Sequence, residues 1–116
     1  MKKINILGTT YKVYLDVPYA KDPNLAGAHG YTDFHGKRIV VADVKTTPGW
    51  EEIDPKAAFD VYAGTVRHEV IHAYLMESGL NASAGAVECW ARNEEMVDWF
   101  AIQSPKIFKT FTELGV

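Results

Sequence analysis

Two histidines and a glutamate stand together in the stretch TVRHEVIHAYLMESGL, residues 65–80. On an α-helix, His68 and His72 lie about 40° apart around the axis and about 6 Å apart along it. Both rings can then reach one metal ion, because imidazole nitrogens bind Zn²⁺ at about 2.0 to 2.1 Å. Glu69 is placed beside that metal, where it can act as a general base toward an activated water. The pattern therefore predicts zinc-dependent hydrolysis; the opposing interpretation is a buried helix whose histidines only hydrogen-bond to neighbours.

A third ligand is available in NEEMVD, residues 93–98. Two histidines and Glu94 would leave the fourth position of a tetrahedral zinc open, as in catalytic sites. Asp98, four residues later on the same helical face, is expected to accept a ring N–H from a ligating histidine and to fix its orientation. Glu95 is the alternative ligand, and a solvated helix face is the alternative interpretation of both glutamates.

Three residues of the first half are candidates to stabilise the oxyanion of a tetrahedral intermediate. His29, Tyr31 and His35 lie in a glycine-rich region and carry side chains that can donate a hydrogen bond. The alternative is that they are loop residues near a turn. Cys89 is a further possible ligand, although a lone helical cysteine is more often a small packed residue.

HEVIH followed by NEEMVD resembles the thermolysin-type gluzincin pattern, in which HExxH is followed by NExxxD. The trailing Glu94, Asp98, Phe100 and Ala101 also resemble the ExxxNxFA of ImmA/IrrE-type metallopeptidases of bacteria and mobile elements. The resemblance covers roughly residues 65–101 and implies a minimal zincin, encoded by a phage or prophage, that cleaves a peptide or protein substrate. It implies zinc held by His68, His72 and Glu94. The chain has no room for the downstream domain that supplies a transition-state histidine in thermolysin. The alternative function is a catalytically silent zinc-binding interaction module.

The first half predicts strands that must position this site. Alternating and β-branched residues favour four strands in two pairs, over Lys3–Leu7, Tyr11–Val17, Tyr31–Phe34 and Lys37–Val44. Turns are expected at residues 8–10 and at His35-Gly36. The strand that begins at Arg38 is either an edge along which an extended peptide pairs or an interior strand.

The second half predicts helices. Asp54 is a suitable N-cap, Pro55 suits the first helical position and Gly79 suits a left-handed C-terminal cap, so one long helix should carry HExxH. A second helix is expected over about 86–103, and a short third one after Ser104-Pro105. Three aromatic residues of this region are most simply core: Trp90, Trp99 and Phe100.

The composition favours one soluble domain over residues 1–116. The predicted class is α+β: a small, mainly antiparallel sheet packed on the long HExxH helix, with two further C-terminal helices. A net charge of −3 gives no electrostatic reason to expect a nucleic-acid partner. We predict a cytoplasmic protein with no membrane span. The chain has a single cysteine, polar residues interrupt any signal-peptide-like apolar stretch near the N-terminus, and no long apolar run is present. The sequence makes no prediction of oligomeric state.

Overall fold

The computed structural model describes residues 1–81 and 89–116. The N-terminal half forms a four-stranded sheet, and the C-terminal half contributes two long helices. The strands are β1 (Lys2–Ile6), β2 (Thr9–Val17), β3 (Gly30–Asp33) and β4 (Arg38–Ala42), and the helices are α1 (Pro55–Glu77) and α2 (Glu94–Glu113). None of the helices in this described part of the chain is both long and apolar enough to cross a membrane.

The α+β class is confirmed, but the prediction of a mainly antiparallel sheet is wrong. The strand order is β1-β2-β4-β3; the β1–β2 and β4–β3 pairs are antiparallel, and the central β2–β4 pair is parallel. The reason lies in β4, whose consecutive apolar residues are buried on both faces. Ile39 and Val41 pack in the core beneath α1, whereas Val40 and Ala42 pack with Leu25 on the other face. Such a strand belongs in the sheet interior, next to β2.

The position of β4 also decides between the two interpretations of that strand. It pairs with β2 on one side and β3 on the other, so it is an interior strand. Within the described residues, β3 pairs with β4 alone and therefore forms the edge of the sheet.

Helix α1 begins and ends where the sequence predicts. The Asp54 side chain accepts hydrogen bonds from the backbone N–H groups of Lys56 and Ala57, at 3.0 and 3.1 Å, and Pro55 takes the first position. Ser78 caps the C-terminus, and Gly79 follows with a φ of 91°. The helix then lies across the sheet, burying Ala73 in a core formed largely by strand residues, which are Ile6, Tyr11, Val13, Ile39 and Val41.

The prediction of two C-terminal helices is wrong, because one helix runs through Pro105. It begins after Asn93, whose side chain accepts a hydrogen bond from the Met96 N–H at 2.9 Å. Pro105 has no N–H for the Ala101 carbonyl one turn earlier. Arg67 of α1 supplies the missing donor: its Nε lies 2.6 Å from the Ala101 oxygen. The second helix was also predicted to begin at about residue 86, and this is wrong for residues 89–93, because Cys89 is extended and a 3₁₀ turn covers Trp90–Arg92. Residues 86–88 lie outside the described residues.

The prediction that three aromatic residues belong to the core is wrong as well. Trp90, Trp99 and Phe100 are 63%, 52% and 40% exposed. The buried face of α2 is made instead by Val97 and Ala101, one turn apart, whose small side chains allow close packing on α1.

Glu77, the last residue of α1, ties the helix to the sheet. Its carboxylate accepts hydrogen bonds from the hydroxyls of Thr9 and Tyr11, at 3.0 and 2.9 Å, and forms an ion pair with Lys37. The hydrogen bond from Lys37, with help from Tyr11 and Thr9, holds the pKa of Glu77 below its usual value. The charged form is therefore stabilised by folding.

We expect Glu77→Gln to lower the free energy of unfolding by about 1.5 to 3 kcal/mol near neutral pH, the usual range for hydrogen bonds to a charged group. Because the pKa of Glu77 is lower in the folded than in the unfolded chain, the stabilisation is complete above the ordinary glutamate pKa of about 4.3. It is lost as the pH falls through the lowered folded value. Urea unfolding of both proteins at about pH 7 and about pH 3 measures the difference, which should shrink at the lower pH.

Glu113→Gln is the matched control for this prediction. Glu113 pairs with Lys109 at 3.8 Å in an exposed position, so its loss should change stability by less than about 0.5 kcal/mol. An effect of Glu77→Gln that is equally large at both pH values would contradict the ion-pair explanation.

Candidate metal centre

Helix α1 presents two imidazole rings to one point. His68 and His72 are one turn apart, their side chains are 16% and 10% exposed, and their Nε2 atoms are 3.0 Å apart. Both imidazole rings are therefore largely buried. Their spacing on one helical face makes this half of the centre a local property of the sequence.

The first turn of α2 adds a carboxylate. Glu94 Oε2 lies 3.1 Å from His68 Nε2, and Glu94 Oε1 lies 3.0 Å from His72 Nε2. The structure thus brings together the three residues predicted as ligands, and they form a cluster that could hold a metal ion. Glu95 faces a neighbouring surface hollow beside Trp90 and Met96 and is outside this cluster.

Both rings are oriented by an acceptor at Nδ1. His68 Nδ1 lies 2.6 Å from Asp98 Oδ1, where the sequence predicted this carboxylate. His72 Nδ1 lies 2.7 Å from the backbone carbonyl oxygen of Ala91. Since a carboxylate and a carbonyl can only accept a hydrogen bond, Nδ1 of each ring must carry the hydrogen. In neutral rings, the Nε2 lone pairs are then directed at one another and at Glu94.

This arrangement suits a cation. Two bare imidazole nitrogens and a carboxylate within about 3 Å repel one another unless a positive charge, either a metal ion or a proton on one ring, lies between them. The ring N–H groups are held by outer partners, as is usual for metal-ligating histidines. The donor set could therefore hold a metal ion.

Glu69 lies beside the cluster and is itself buried, with 6% of its surface exposed. The Thr32 hydroxyl is 2.8 Å from both the carboxylate Oε2 and the backbone oxygen of Glu69, and so holds the side chain against β3. Burial raises the pKa of Glu69, while the Thr32 hydrogen bond and the nearby His68 and His72 oppose that shift. A carboxylate in this setting has the raised proton affinity that a general base needs.

These groups line one cleft, here called the metal-centre cleft. Its walls are His68, Glu69 and His72 from α1, Gly30–Thr32 from β3, and Met76, Arg92 and Glu94. A second opening of the same region is lined by His29, Gly64 and Asp98 together with His68 and Glu94. The sequence analysis missed Thr32 and Arg92, because neither belongs to a motif and only the strand pairing and the turn before α2 bring them here.

The three predicted oxyanion donors are placed differently. His29 lies at the second opening, where burial lowers its pKa and its Nδ1 is 3.3 Å from the Thr47 hydroxyl. Tyr31 lines the metal-centre cleft, but its hydroxyl donates a hydrogen bond to Asp22 at 2.7 Å. His35 is exposed in the turn between β3 and β4, and is not among the described residues that line the cleft.

Gly30 allows β3 to approach Glu69 closely. A Cβ atom at Gly30 would lie 2.7 Å from Thr65 Cγ2, 3.0 Å from the Val40 carbonyl oxygen and 3.2 Å from Glu69 Cγ. We therefore expect Gly30→Ala to destabilise the protein by about 1 to 3 kcal/mol through overpacking. Urea unfolding measures this loss.

Two variants test whether the cause is this contact. Thr65→Ser removes Cγ2 but keeps the hydroxyl that donates to the Val61 carbonyl, so it should restore part of the stability of Gly30→Ala. Gly64→Ala is the control, because a Cβ there meets nothing within 4 Å and alanine is favoured inside a helix by about 1 kcal/mol. Equal stability of the Gly30→Ala and Gly64→Ala proteins would contradict the prediction.

No protein-family model, curated protein or solved structure matches this chain. The geometry of the site is therefore the basis for assigning a function.

Proposed function

We propose that the chain is a zinc-dependent metallopeptidase in which Glu69 is the general base. The observation that supports this most is the convergence of His68, His72 and Glu94 on one point, with the buried carboxylate of Glu69 beside it. Each histidine is already oriented by a second acceptor, as a preorganised metal site requires.

Zinc suits this donor set. Bond lengths of about 2.0 to 2.2 Å around a tetrahedral ion place ligand atoms about 3.3 to 3.6 Å apart. The two histidine Nε2 atoms are 3.0 Å apart, and a different Glu94 oxygen lies 3.0 to 3.1 Å from each of them. One ligand atom from each residue lies within 4.8 Å of the other two, so small side-chain movements would accommodate the ion. Three protein ligands also leave the open fourth position that distinguishes catalytic from structural zinc.

The protein residues around the site supply the remaining parts of a hydrolytic reaction. Zinc, when bound, supplies Lewis-acid polarisation of the scissile carbonyl and of the attacking water. Glu69 takes the proton of that water on a carboxylate oxygen and returns it to the leaving nitrogen. Thr32 keeps the carboxylate in place, and Asp98 and the Ala91 carbonyl keep the rings in the required tautomer.

A peptide is the substrate that the shape of the cleft favours. The edge strand β3 forms one wall through Gly30, Tyr31 and Thr32. An extended peptide that pairs with this edge would gain main-chain hydrogen bonds and pass beside the metal ligands. This mode of binding uses backbone groups, which every peptide carries.

The test starts with the purified wild-type protein. We expect elemental mass spectrometry to find about one zinc per chain. We expect the protein to cleave peptides of a mixed library, with the products detected by mass spectrometry. A zinc chelator should abolish cleavage, and added zinc should restore it. Zinc without cleavage of any peptide would favour the alternative, a zinc-binding interaction module; cleavage that survives complete zinc removal would contradict both.

A further inference from the structure

Arg92 is a charged residue of the metal-centre cleft that the peptidase proposal leaves without a role. It ends the 3₁₀ turn Trp90–Arg92, is exposed, and lines the cleft with Glu69, Glu94 and the two histidines. Among the described residues that line the cleft and its second opening, Arg92 is the one lysine or arginine.

The other two arginines of the chain have firm oxygen partners. Arg38 Nε lies 3.0 Å from the Asp33 carboxylate, and Arg67 Nε lies 2.6 Å from the Ala101 carbonyl oxygen. Arg92 differs, because among the described residues its guanidinium has no oxygen partner; it lies near the Cys89 thiol, whose pKa it lowers. Within residues 1–81 and 89–116, no carboxylate forms an ion pair with it.

Glu94 is the nearest acid in sequence, yet its carboxylate is already engaged. Both Glu94 oxygens face the histidine Nε2 atoms, at 3.1 and 3.0 Å, where a metal would hold them. Most of the five N–H donors of the guanidinium therefore remain for a ligand. The planar fork of an arginine matches a carboxylate with two parallel hydrogen bonds.

We propose that Arg92 forms a carboxylate-binding subsite next to the metal centre, so that the preferred substrate carries a carboxylate close to the scissile bond. This inference rests on the proposed peptidase function. The carboxylate belongs either to an Asp or Glu side chain or to the C-terminus of the substrate, and both present the same group to the guanidinium. Arg92 thus determines specificity, while the Glu69 and metal chemistry is common to all peptides.

The test measures binding by calorimetry, so that it needs no turnover. The probes are two pairs of peptide hydroxamates, whose hydroxamate binds zinc. One pair differs only in Glu or Gln beside the hydroxamate, and the other only in a free or amidated C-terminus. We expect the zinc-loaded wild-type protein to bind the carboxylate member of one pair about 10-fold more tightly than its neutral counterpart, which is the size of one charge-assisted interaction. The pair that shows this preference identifies the source of the carboxylate.

Variants connect any preference to Arg92. Arg92→Gln should abolish it, and Arg92→Lys should keep only part, because lysine retains the charge without the fork. Arg38→Gln, the same change at an arginine outside the cleft, should leave the preference intact. Equal binding of charged and neutral probes, or a preference that survives Arg92→Gln, would overturn the subsite.

The same probes separate this proposal from the peptidase itself. A carboxylate preference without cleavage of any library peptide would keep the subsite and overturn the peptidase. Cleavage without such a preference would overturn the subsite and keep the peptidase. Failure of every hydroxamate to bind the zinc-loaded protein, together with no cleavage of any library peptide, would overturn both.

Discussion

Replacement of His72 by alanine should remove the metal from the protein. His72 is the most buried of the three candidate ligands, and its ring is fixed by the Ala91 carbonyl. Loss of an outer hydrogen-bond partner alone typically weakens metal binding by 10- to 100-fold, so loss of a ligand should exceed about 100-fold. Elemental mass spectrometry of the purified variant should then show zinc falling from about one per chain to almost none.

His35→Ala is the matched control for this experiment. His35 is exposed in the turn between β3 and β4, away from the residues that line the cleft, so its variant should keep zinc. Glu94→Gln and Glu95→Gln make a second matched pair. The structure places only Glu94 against the histidines, so zinc binding should fall in the first variant and persist in the second. Retention of zinc by His72→Ala would contradict the proposed ligand set.

Replacement of Glu69 by glutamine should abolish turnover while leaving the zinc in place. Glutamine has nearly the same shape and can still accept the Thr32 hydrogen bond, but it cannot take up a proton. General-base catalysis usually contributes about 100- to 10,000-fold, and kcat for a cleaved library peptide should fall by that factor. Zinc content and the urea unfolding curve report whether the site and the fold remain intact.

Glu95→Gln is the matched control, because it removes the same charge from a side chain outside the ligand cluster. It should retain wild-type turnover. If Glu69→Gln cleaved peptides as fast as the wild type, Glu69 would not be the base. A zinc-binding module without peptidase activity should instead keep its affinity for a partner after the Glu69→Gln substitution.

The candidate metal cluster was predictable because most of its residues are close together in the sequence. His68 and His72 share a face of a helix whose caps, Asp54 and Gly79, are readable from residue type. Asp98 follows Glu94 by one helical turn, so the carboxylate that orients His68 could be inferred with the ligand. The partner of His72 could not, because a backbone carbonyl has no sequence signature and reaches the ring only through the turn before α2.

The parts that were wrong depend on contacts between distant segments. The parallel pairing of β2 with β4 follows from burial of β4 on both faces, which a short apolar run does not distinguish from an edge strand. Pro105 predicts a helix end by local rules, whereas in the structure a hydrogen bond from Arg67 of the other helix replaces the donor that Pro105 lacks. Thr32 reaches Glu69 through strand placement, which no motif describes.

The bond from Arg67 to the Ala101 carbonyl has a consequence for how the site is assembled. If α2 slid or rotated on α1, this carbonyl, which Pro105 leaves without a helical donor, would lose its partner. The bond therefore fixes the relative register of the two helices near the turn that carries Glu94 and Asp98. The chain would then meet the entropic cost of gathering His68, His72 and Glu94 during folding, before any ion arrived, and such preorganisation would strengthen ion binding.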